Sequence, residues 1–171
     1  MKRNMRRKVL VIPFVKLTKH KSKSKKSRTD KGNIRLLVAK DQDSGDWTFF
    51  SGTCEPYEHP IRCALRELYE ETRGVVRLQG LPRNTRRIRL HCGRDTRVDI
   101  FFVPLEVSCQ RGLDDIIKSF NRRSGGFPEE FFENERIAFE TLAQFKRHRH
   151  VWAYIRDIMG HWEFQKAIGD L

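Results

Sequence analysis

Apolar runs of strand length divide this chain into a series of predicted β-strands and helices. Residues 8–17 (KVLVIPFVKL) are apolar almost throughout, and residues 98–107 (VDIFFVPLEV) repeat that pattern with Pro104 near the end. A continuous apolar run is typical of a strand that is buried on both faces, so both segments are predicted as central strands. Shorter apolar segments predict four further strands, at residues 34–40, 75–78, 86–91 and 137–141.

The segment that follows residue 59 has helical periodicity. Pro60 suits the first turn of a helix because its missing N–H needs no partner there, and Gly74 suits the exit. At 100° per residue, one stripe of this helix is apolar and the neighbouring stripe is acidic. The apolar stripe contains Ile61, Ala64, Leu65 and Leu68, and the acidic stripe contains Glu67, Glu70 and Glu71. Helices are also predicted at residues 113–122 and 151–162, with an acidic loop at 127–134 between them and a turn at 142–145.

The acidic stripe is the first candidate for chemistry. Three clustered carboxylates repel one another unless a cation lies between them. Hard divalent ions such as Mg²⁺ or Mn²⁺ prefer oxygen ligands, so the stripe is a predicted metal site. The alternative is an ordinary solvated helix face, since surface helices often carry several glutamates.

Composition limits the classes of protein to consider. A chain of 171 residues can form one domain with a sizeable core, and no apolar run of about 18 residues predicts a membrane span. The four cysteines show neither C-x-x-C pairing nor zinc spacing, which favours free thiols in an intracellular, cytoplasmic setting. The net charge of +13 favours polyanionic partners: nucleic acid, a densely phosphorylated small molecule or an anionic membrane surface.

Basic residues are concentrated in two places. Residues 19–33 are too polar to be buried and predict a flexible loop between two strands. We interpret this lysine-rich loop either as an arm for a phosphate backbone or as a solvated insertion of nuclear-import-like composition. Its candidate phosphate contacts are Lys19, Lys21, Lys23, Lys25, Lys26, Arg28 and Lys31. The second cluster is arginine-rich and contains Arg83, Arg86, Arg87, Arg89, Arg94 and Arg97.

The spacing of the acidic helix carries a family resemblance. This part of the chain contains, in order, Gly52, five residues, Glu58, seven residues and then Arg66-Glu67-Leu68-Tyr69-Glu70-Glu71. It resembles the Nudix hydrolase box, of which six fixed positions are matched. One position departs from the pattern: Arg73 stands where the family has a glycine, and Gly74 comes one residue later.

The resemblance implies an α/β fold, an α/β/α sandwich with a mixed sheet, formed by one Nudix hydrolase domain over residues 1–171. It also implies hydrolysis of a nucleoside diphosphate linked to another group, with Mg²⁺ or Mn²⁺ as cofactor. Arg66 would fix the first box carboxylate by a charge-assisted contact, and Glu58 would be chiefly structural. The implied metal ligands are three carboxylates and one backbone carbonyl, from Glu67, Glu70, Glu71 and either Ser51 or Gly52.

A general base is also required, and two late glutamates are candidates. The run ENERIAFETL, which contains Glu133 and Glu135, resembles the segment in which RNA-decapping Nudix enzymes keep an extra glutamate ahead of a strand. By its spacing to the following strand, Glu133 fits better. The alternatives are a solvated acidic loop here, or a box glutamate that acts as the base.

Two residues beside the box have open roles. Trp47 could stack on a base or a cap, although core packing is the more common role of such a residue. His59, at the helix start, is expected to be a cap or a surface residue.

The box, the lysine-rich loop and the late glutamate together favour capped RNA as the substrate. The enzyme would cut it at the cap pyrophosphate and leave a 5′-phosphate on the RNA. The small, basic form is also similar to the RNA-decapping Nudix proteins of large DNA viruses, which would act in the host cytoplasm. A diphosphoinositol or dinucleoside polyphosphate hydrolase is the alternative, because the Glu55-Pro56 step is similar to that subgroup. A non-catalytic nucleic-acid-binding Nudix domain is a third possibility, against which the intact box glutamates argue.

Overall fold

A mixed sheet of seven strands forms the centre of the fold. The computed structural model describes residues 5–17, 34–93, 95–107, 109–123 and 125–171. In chain order the strands are β1 (Arg6–Lys16), β2 (Ile34–Asp41), β3 (Trp47–Thr48), β4 (Phe50–Thr53), β5 (Arg86–Cys92), β6 (Thr96–Pro104) and β7 (Asn134–Glu140).

Strand β1 lies in the middle and organises the sheet. One of its edges pairs antiparallel with both β2 and β4, and its other edge pairs parallel with β6. Strand β5 completes that side by pairing antiparallel with β6. Strands β3 and β7 both pair antiparallel with β2. The parallel β1–β6 pair among antiparallel neighbours makes the sheet mixed, as expected.

Helices cover both faces of this sheet. They are α1 (Pro60–Glu71), α2 (Gln110–Arg122), α3 (Leu142–Phe145), α4 (Ala153–Gly160) and α5 (Trp162–Gly169), with a short 3-10 helix at Glu129–Phe132. Side chains alternate along β1, so Val9 and Val11 pack towards α1 and α2 while Leu10 and Ile12 pack towards α3, α4 and α5. The two resulting cores confirm the α/β/α sandwich.

Two of the predicted elements differ from the structure. The predicted strand at 75–78 is wrong, because the N–H groups of Val75 and Val76 donate to Thr72 in the turn after α1 and are not available to a neighbouring strand. Val75 N donates to the Thr72 carbonyl at 3.0 Å, and Val76 N donates to the Thr72 hydroxyl at 3.2 Å. The single closing helix predicted at 151–162 is also wrong, because His161 has an extended backbone that separates α4 from α5.

The other predicted helices and strands lie where they were expected, with ends that differ by at most three residues, and the predicted acidic loop at 127–134 contains the 3-10 helix and the first residue of β7. The turn predicted at 142–145 is the one-turn helix α3, which Thr141 and Gln144 cap reciprocally. Among the described residues, no helix is both long and apolar enough to cross a membrane. The lysine-rich loop lies outside the described residues, but the two strands that flank it form a hairpin in which Lys16 pairs with Ile34.

Candidate active site

Helix α1 carries the box glutamates and packs against β1 and β4. His59 caps it as expected, since its Nδ1 accepts a hydrogen bond of 3.3 Å from Ile61 N, and Pro60 opens the first turn. The helix ends at Glu71, and Arg73 and Gly74 then both have positive φ, +53° and +68°. Because Glu67 and Glu71 lie on the buried side of this helix, two carboxylates are held close to the sheet.

Glu67 lies directly over the backbone of Gly52. A Cβ atom added to Gly52 would come within 1.9 Å of the Glu67 carboxylate, so any side chain at position 52 would displace it. Burial raises the pKa of Glu67 to about 7, and repulsion from Glu70 and Glu133 acts in the same direction, although the charge of Arg66 opposes it. Position 52 must therefore be glycine for the Glu67 carboxylate to occupy this place.

Glu71 is held from two directions. The backbone N–H of Ser51 donates to its Oε1 at 2.9 Å, and Nδ2 of Asn134 donates to its Oε2 at 3.1 Å and to its backbone carbonyl at 3.3 Å. Burial raises the pKa of the Glu71 carboxyl well above its usual range despite these hydrogen bonds. Strand β4, with Ser51 and Gly52, thus contacts both buried glutamates.

Arg66 connects three glutamates of the box. Its Nε and Nη2 donate to the two oxygens of Glu58 at 3.1 and 3.0 Å, a bidentate pair. Its Nη1 lies 2.9 Å from Glu67 and 3.1 Å from Glu70, so it touches both carboxylates. The hydrogen bonds from Arg66 hold the pKa of Glu58 below its usual range even though burial opposes them, and Glu58 also accepts from Glu55 N at 2.9 Å.

The two late glutamates have different surroundings. Glu133 follows the 3-10 helix, and its charge raises the pKa of both Glu67 and Glu71, which places it within electrostatic reach of them. The Glu135 carboxylate instead forms an ion pair of 2.5 Å with Lys40. Of the two late glutamates, Glu133 is therefore the one whose charge acts on the box carboxylates.

The donor set fits a hard divalent cation. Glu67, Glu70 and Glu71 offer only oxygen atoms, and their mutual repulsion is what a bound cation would relieve. Arg66 Nη1 already supplies positive charge between two of them, and its bidentate pair with Glu58 would keep it anchored beside a metal ion.

A second group of potential ligands lies at the other end of the box. Within the described residues, Cys54, Glu58 and Cys63 are the group whose ligand atoms lie within 4.8 Å of one another. Both thiols are buried, which raises their pKa values, and the Glu58 carboxylate is already engaged by Arg66. These atoms therefore act as packing and anchoring groups in this structure.

Two residues of the site escaped sequence reasoning. Asn134 shows no pattern that marks it, because its partner Glu71 lies 63 residues away. Arg73 was visible only as a departure from the box pattern. Its guanidinium lies over the rings of Phe120 and Phe132, at 4.1 and 5.2 Å, and donates to the Asn134 carbonyl at 2.7 Å.

Trp47 is a core residue in this structure. It is 9% exposed, and its ring stacks on that of His148 with the centroids 4.3 Å apart. Core packing, the commoner of the two expected roles, is thus confirmed. Arg136 of β7 places its guanidinium carbon 5.9 Å from the centroid of the Trp47 ring.

Comparison with known proteins agrees with this geometry. The family model of the NUDIX domain matches residues 28–152, nearly three quarters of the chain. No curated protein is similar enough in sequence to count as a relative.

Solved structures share the fold at low sequence identity. A mutant of the pyrophosphohydrolase BsRppH of Bacillus subtilis has a TM-score of 0.53 at 15% identity, covering 99% of this chain and 81% of its own. A MutT structure from a study of Aliivibrio salmonicida and Vibrio cholerae has a TM-score of 0.52 at 16% identity, with 99% and 98% covered. A NUDIX hydrolase from Nitrosomonas europaea has a TM-score of 0.50 at 15% identity, with 99% and 76% covered. The family model matches most of the chain, and α1 carries Arg66 and three glutamates of the box. The chain therefore belongs to the NUDIX family of hydrolases.

Proposed function

We propose that this NUDIX hydrolase uses Mg²⁺ or Mn²⁺ to cleave the cap pyrophosphate of capped RNA. The observation that carries the proposal is the position of Glu133, whose charge acts on both Glu67 and Glu71 from a segment outside the box. The net charge of +13 suits a substrate with many phosphates beyond the diphosphate itself.

The proposed roles follow from the contacts of each residue. Glu67, Glu70 and Glu71, with a carbonyl of Ser51 or Gly52, would hold the cation, which neutralises the diphosphate and lowers the pKa of bound water. Arg66 keeps Glu67 and Glu70 in place through Nη1, while Glu58 anchors Arg66.

In the proposed reaction, water attacks one phosphorus atom of the diphosphate. The bond between that phosphorus and the bridging oxygen breaks, and the bridging oxygen leaves with the other phosphate group. A carboxylate oxygen of Glu133 takes the proton from the attacking water. The RNA product keeps a 5′-phosphate. Such a transfer needs alignment and charge stabilisation rather than a covalent enzyme intermediate.

The place of action and the lysine-rich loop complete the proposal. The cysteines among the described residues are free thiols, which supports a reducing cytoplasm as the place of action, the host cytoplasm if the protein is viral. The lysine-rich loop, with Lys19, Lys21, Lys23, Lys25, Lys26, Arg28 and Lys31, is proposed as an RNA contact on charge alone.

One comparison tests the proposal. The protein is incubated with Mn²⁺ and, in separate reactions, cap-labelled RNA, diadenosine polyphosphates and a diphosphoinositol polyphosphate. Release of the labelled cap nucleotide from RNA at the highest kcat/KM supports decapping. Preferential cleavage of either small substrate supports the alternative that the Glu55-Pro56 step suggests, and binding of RNA without cleavage of any substrate supports a non-catalytic domain.

A further inference from the structure

The described side chains of the arginine-rich cluster at residues 83–97 lie on both faces of the sheet. Residues one apart on a strand point to opposite faces. Arg86 accordingly pairs with Asp170, at 2.8 Å, on the side of α5. Arg87 and Arg89 point to the other face, where both contact Asp99 of β6. The basic cluster of the sequence is therefore split in the structure. Arg87 and Arg89 lie on the face that carries α1, and Arg86 lies on the opposite face.

Asp99 is a buried carboxylate shared by three guanidinium groups. Arg87 donates to its Oδ1 through Nε at 3.1 Å and Nη2 at 2.7 Å, and Arg89 Nε donates to the same oxygen at 2.9 Å. Arg97 Nε lies 3.8 Å from Oδ2. Burial would raise the pKa of Asp99, but the hydrogen bonds from Arg87 and Arg89 outweigh it and hold the pKa below its usual range. The carboxylate therefore stays ionised and contributes one negative charge.

Three positive charges around one negative charge leave an excess. A structural ion pair needs one arginine for one carboxylate, and here two additional guanidinium groups converge on the same point. The side chains of Arg87, Arg89 and Arg97 are 35%, 47% and 25% exposed, whereas that of Asp99 is 1% exposed. Asp99 thus acts as a buried support from which the guanidinium groups reach solvent. Each guanidinium has five N–H donors, so N–H groups remain for an anion.

This arginine group lies close to the Glu67 carboxylate of α1. Across neighbouring strands Asp99 pairs with Val9, and Val9 pairs with Gly52, on which the Glu67 carboxylate rests. With strands about 4.8 Å apart, the Asp99 backbone lies about 10 Å from that of Gly52. Arg7, which pairs in register with Arg97, also donates to the Glu55 carbonyl inside the box loop at 3.2 Å.

We propose that Arg87, Arg89 and Arg97 form a binding site for the backbone phosphates of the RNA chain that follows the scissile diphosphate. The proposal rests on the proposed function for the identity of the polyanion. The separation of about 10 Å from Gly52 places the site beyond a diphosphate held at the box glutamates, so a substrate must carry further phosphates to occupy both places. Planar guanidinium groups match phosphate oxygens in bidentate geometry, which suits arginine at such a site.

The test measures binding without hydrolysis. Affinity for an uncapped single-stranded RNA with a 5′-monophosphate is measured in EDTA over a range of salt concentrations. Arg89→Gln removes the most exposed of the three guanidinium groups and leaves both hydrogen bonds of Arg87 on Asp99. The matched control is Arg86→Gln, on the same strand but with its side chain on the opposite face.

Arg89→Gln should weaken RNA binding several-fold and reduce the slope of log affinity against log salt by about 0.7, the contribution of one phosphate contact. Arg86→Gln should leave the slope at the wild-type value. Equal slopes for the wild type and both variants overturn the proposal. If Arg89→Gln fails to fold by thermal melting, Arg97→Gln replaces it, because Arg97 makes the longest of the three contacts with Asp99, 3.8 Å. The slope should again fall by about 0.7, and an unchanged slope overturns the proposal.

The two proposals can fail separately. The binding assay uses no cap and no metal ion, so it reports on the arginine group even if the wild type cleaves no cap-labelled RNA. A wild type that cleaves capped RNA while Arg89→Gln and Arg86→Gln bind RNA equally would retain the decapping function and reject this site.

Discussion

At the scale of single residues, Glu70 is the carboxylate of the box with the greatest freedom to reach a ligand. Its side chain is 23% exposed, compared with 11% for Glu67, and its contact is the Nη1 of Arg66. It therefore supports little of the fold, and removing its charge separates metal binding from folding.

We expect Glu70→Gln to fold normally and to lose far more activity than the roughly 10- to 100-fold that the loss of a metal's outer-shell partner costs. Turnover at saturating Mg²⁺ or Mn²⁺, with a melting curve for each protein, measures this. The matched control is Glu106→Gln, an exposed glutamate outside the box. Near-wild-type turnover of Glu70→Gln would remove Glu70 from the metal site.

Glu133 and Glu135 differ by two positions and by their surroundings, which makes them a matched pair. Glu133→Ala should lower turnover by roughly 10²–10⁴ and flatten the acid limb of the pH–rate profile, because a general base is lost. Glu135→Ala removes only the ion pair with Lys40 and should retain activity. Metal affinity should stay unchanged in both. Full activity of both variants would assign the base to a box glutamate.

The buried Glu67 carboxyl predicts a pH dependence of stability in the metal-free protein. Its pKa is raised from 4.5 to about 7 in the folded state, so the folded state binds the proton more tightly than the unfolded state. This stabilisation is fully present below about pH 4.5 and is lost as pH rises through 7. The difference is on the order of 3 kcal/mol.

Urea unfolding in EDTA between pH 4.5 and 8 measures this effect. The free energy of unfolding of the wild type should fall with pH relative to that of Glu67→Gln, which cannot ionise at this position. Parallel pH profiles for the two proteins would show that Glu67 ionises normally in the folded state.

At the scale of elements, Arg73 ties the end of α1 to the segment that carries Glu133. It donates to the Asn134 carbonyl, and Asn134 in turn holds Glu71. The cost is a left-handed backbone, φ +53°, that glycine adopts without strain. Arg73, in place of the glycine of the box pattern, therefore strains the backbone but provides a side chain that connects α1 to β7.

Arg73→Gly, which restores the glycine of the box pattern, should nevertheless lower the free energy of unfolding by about 1–3 kcal/mol. The loss combines a charge-assisted hydrogen bond with a cation–π contact and outweighs the relief of strain. Arg73→Ala loses the same side chain and keeps the strain, so it should be less stable than Arg73→Gly by about 1 kcal/mol. Urea unfolding at pH 7 orders the three proteins, and a glycine variant as stable as the wild type would contradict the connecting role.

The sequence predicted those elements whose signals are local. Box spacing located α1 and its carboxylates because a helix brings residues three and four apart onto one side. The strand predicted at 75–78 failed because hydrophobicity does not reveal that Thr72 binds the N–H groups of Val75 and Val76. Asn134 beside Glu71 depends on contact between segments 63 residues apart, for which a single sequence gives no pattern. Asp99 beneath three arginines depends on the register between the neighbouring strands β5 and β6, which hydrophobicity alone does not fix.

At the scale of the whole molecule, charge is the property that separates a large substrate from a small one. The hairpin of β1 and β2 brings Lys16 and Ile34 into register, so residues 19–31 can be deleted and the hairpin closed with a short turn. The deletion should leave hydrolysis of a cap dinucleotide nearly unchanged while weakening the binding of capped RNA.

The salt dependence of RNA binding measures this contribution. Contact with about four phosphates of single-stranded RNA would add about −3 to the slope of log affinity against log salt, and the deletion should remove that part. Equal slopes for the full-length and the deleted protein would identify the lysine-rich loop as a solvated insertion without a role in RNA binding.

The hydrogen bonds from Asn134 to Glu71 also set the order in which the site is completed during synthesis. The two residues are 63 positions apart, so at roughly 5–20 residues per second the whole box motif exists for about 3–13 seconds before its last anchor has been made. In that interval the nascent chain has every residue of the motif but lacks one of the two hydrogen-bond partners of the buried Glu71 carboxylate. A chain that terminates before residue 134 would therefore contain the complete motif and still lack an assembled catalytic centre.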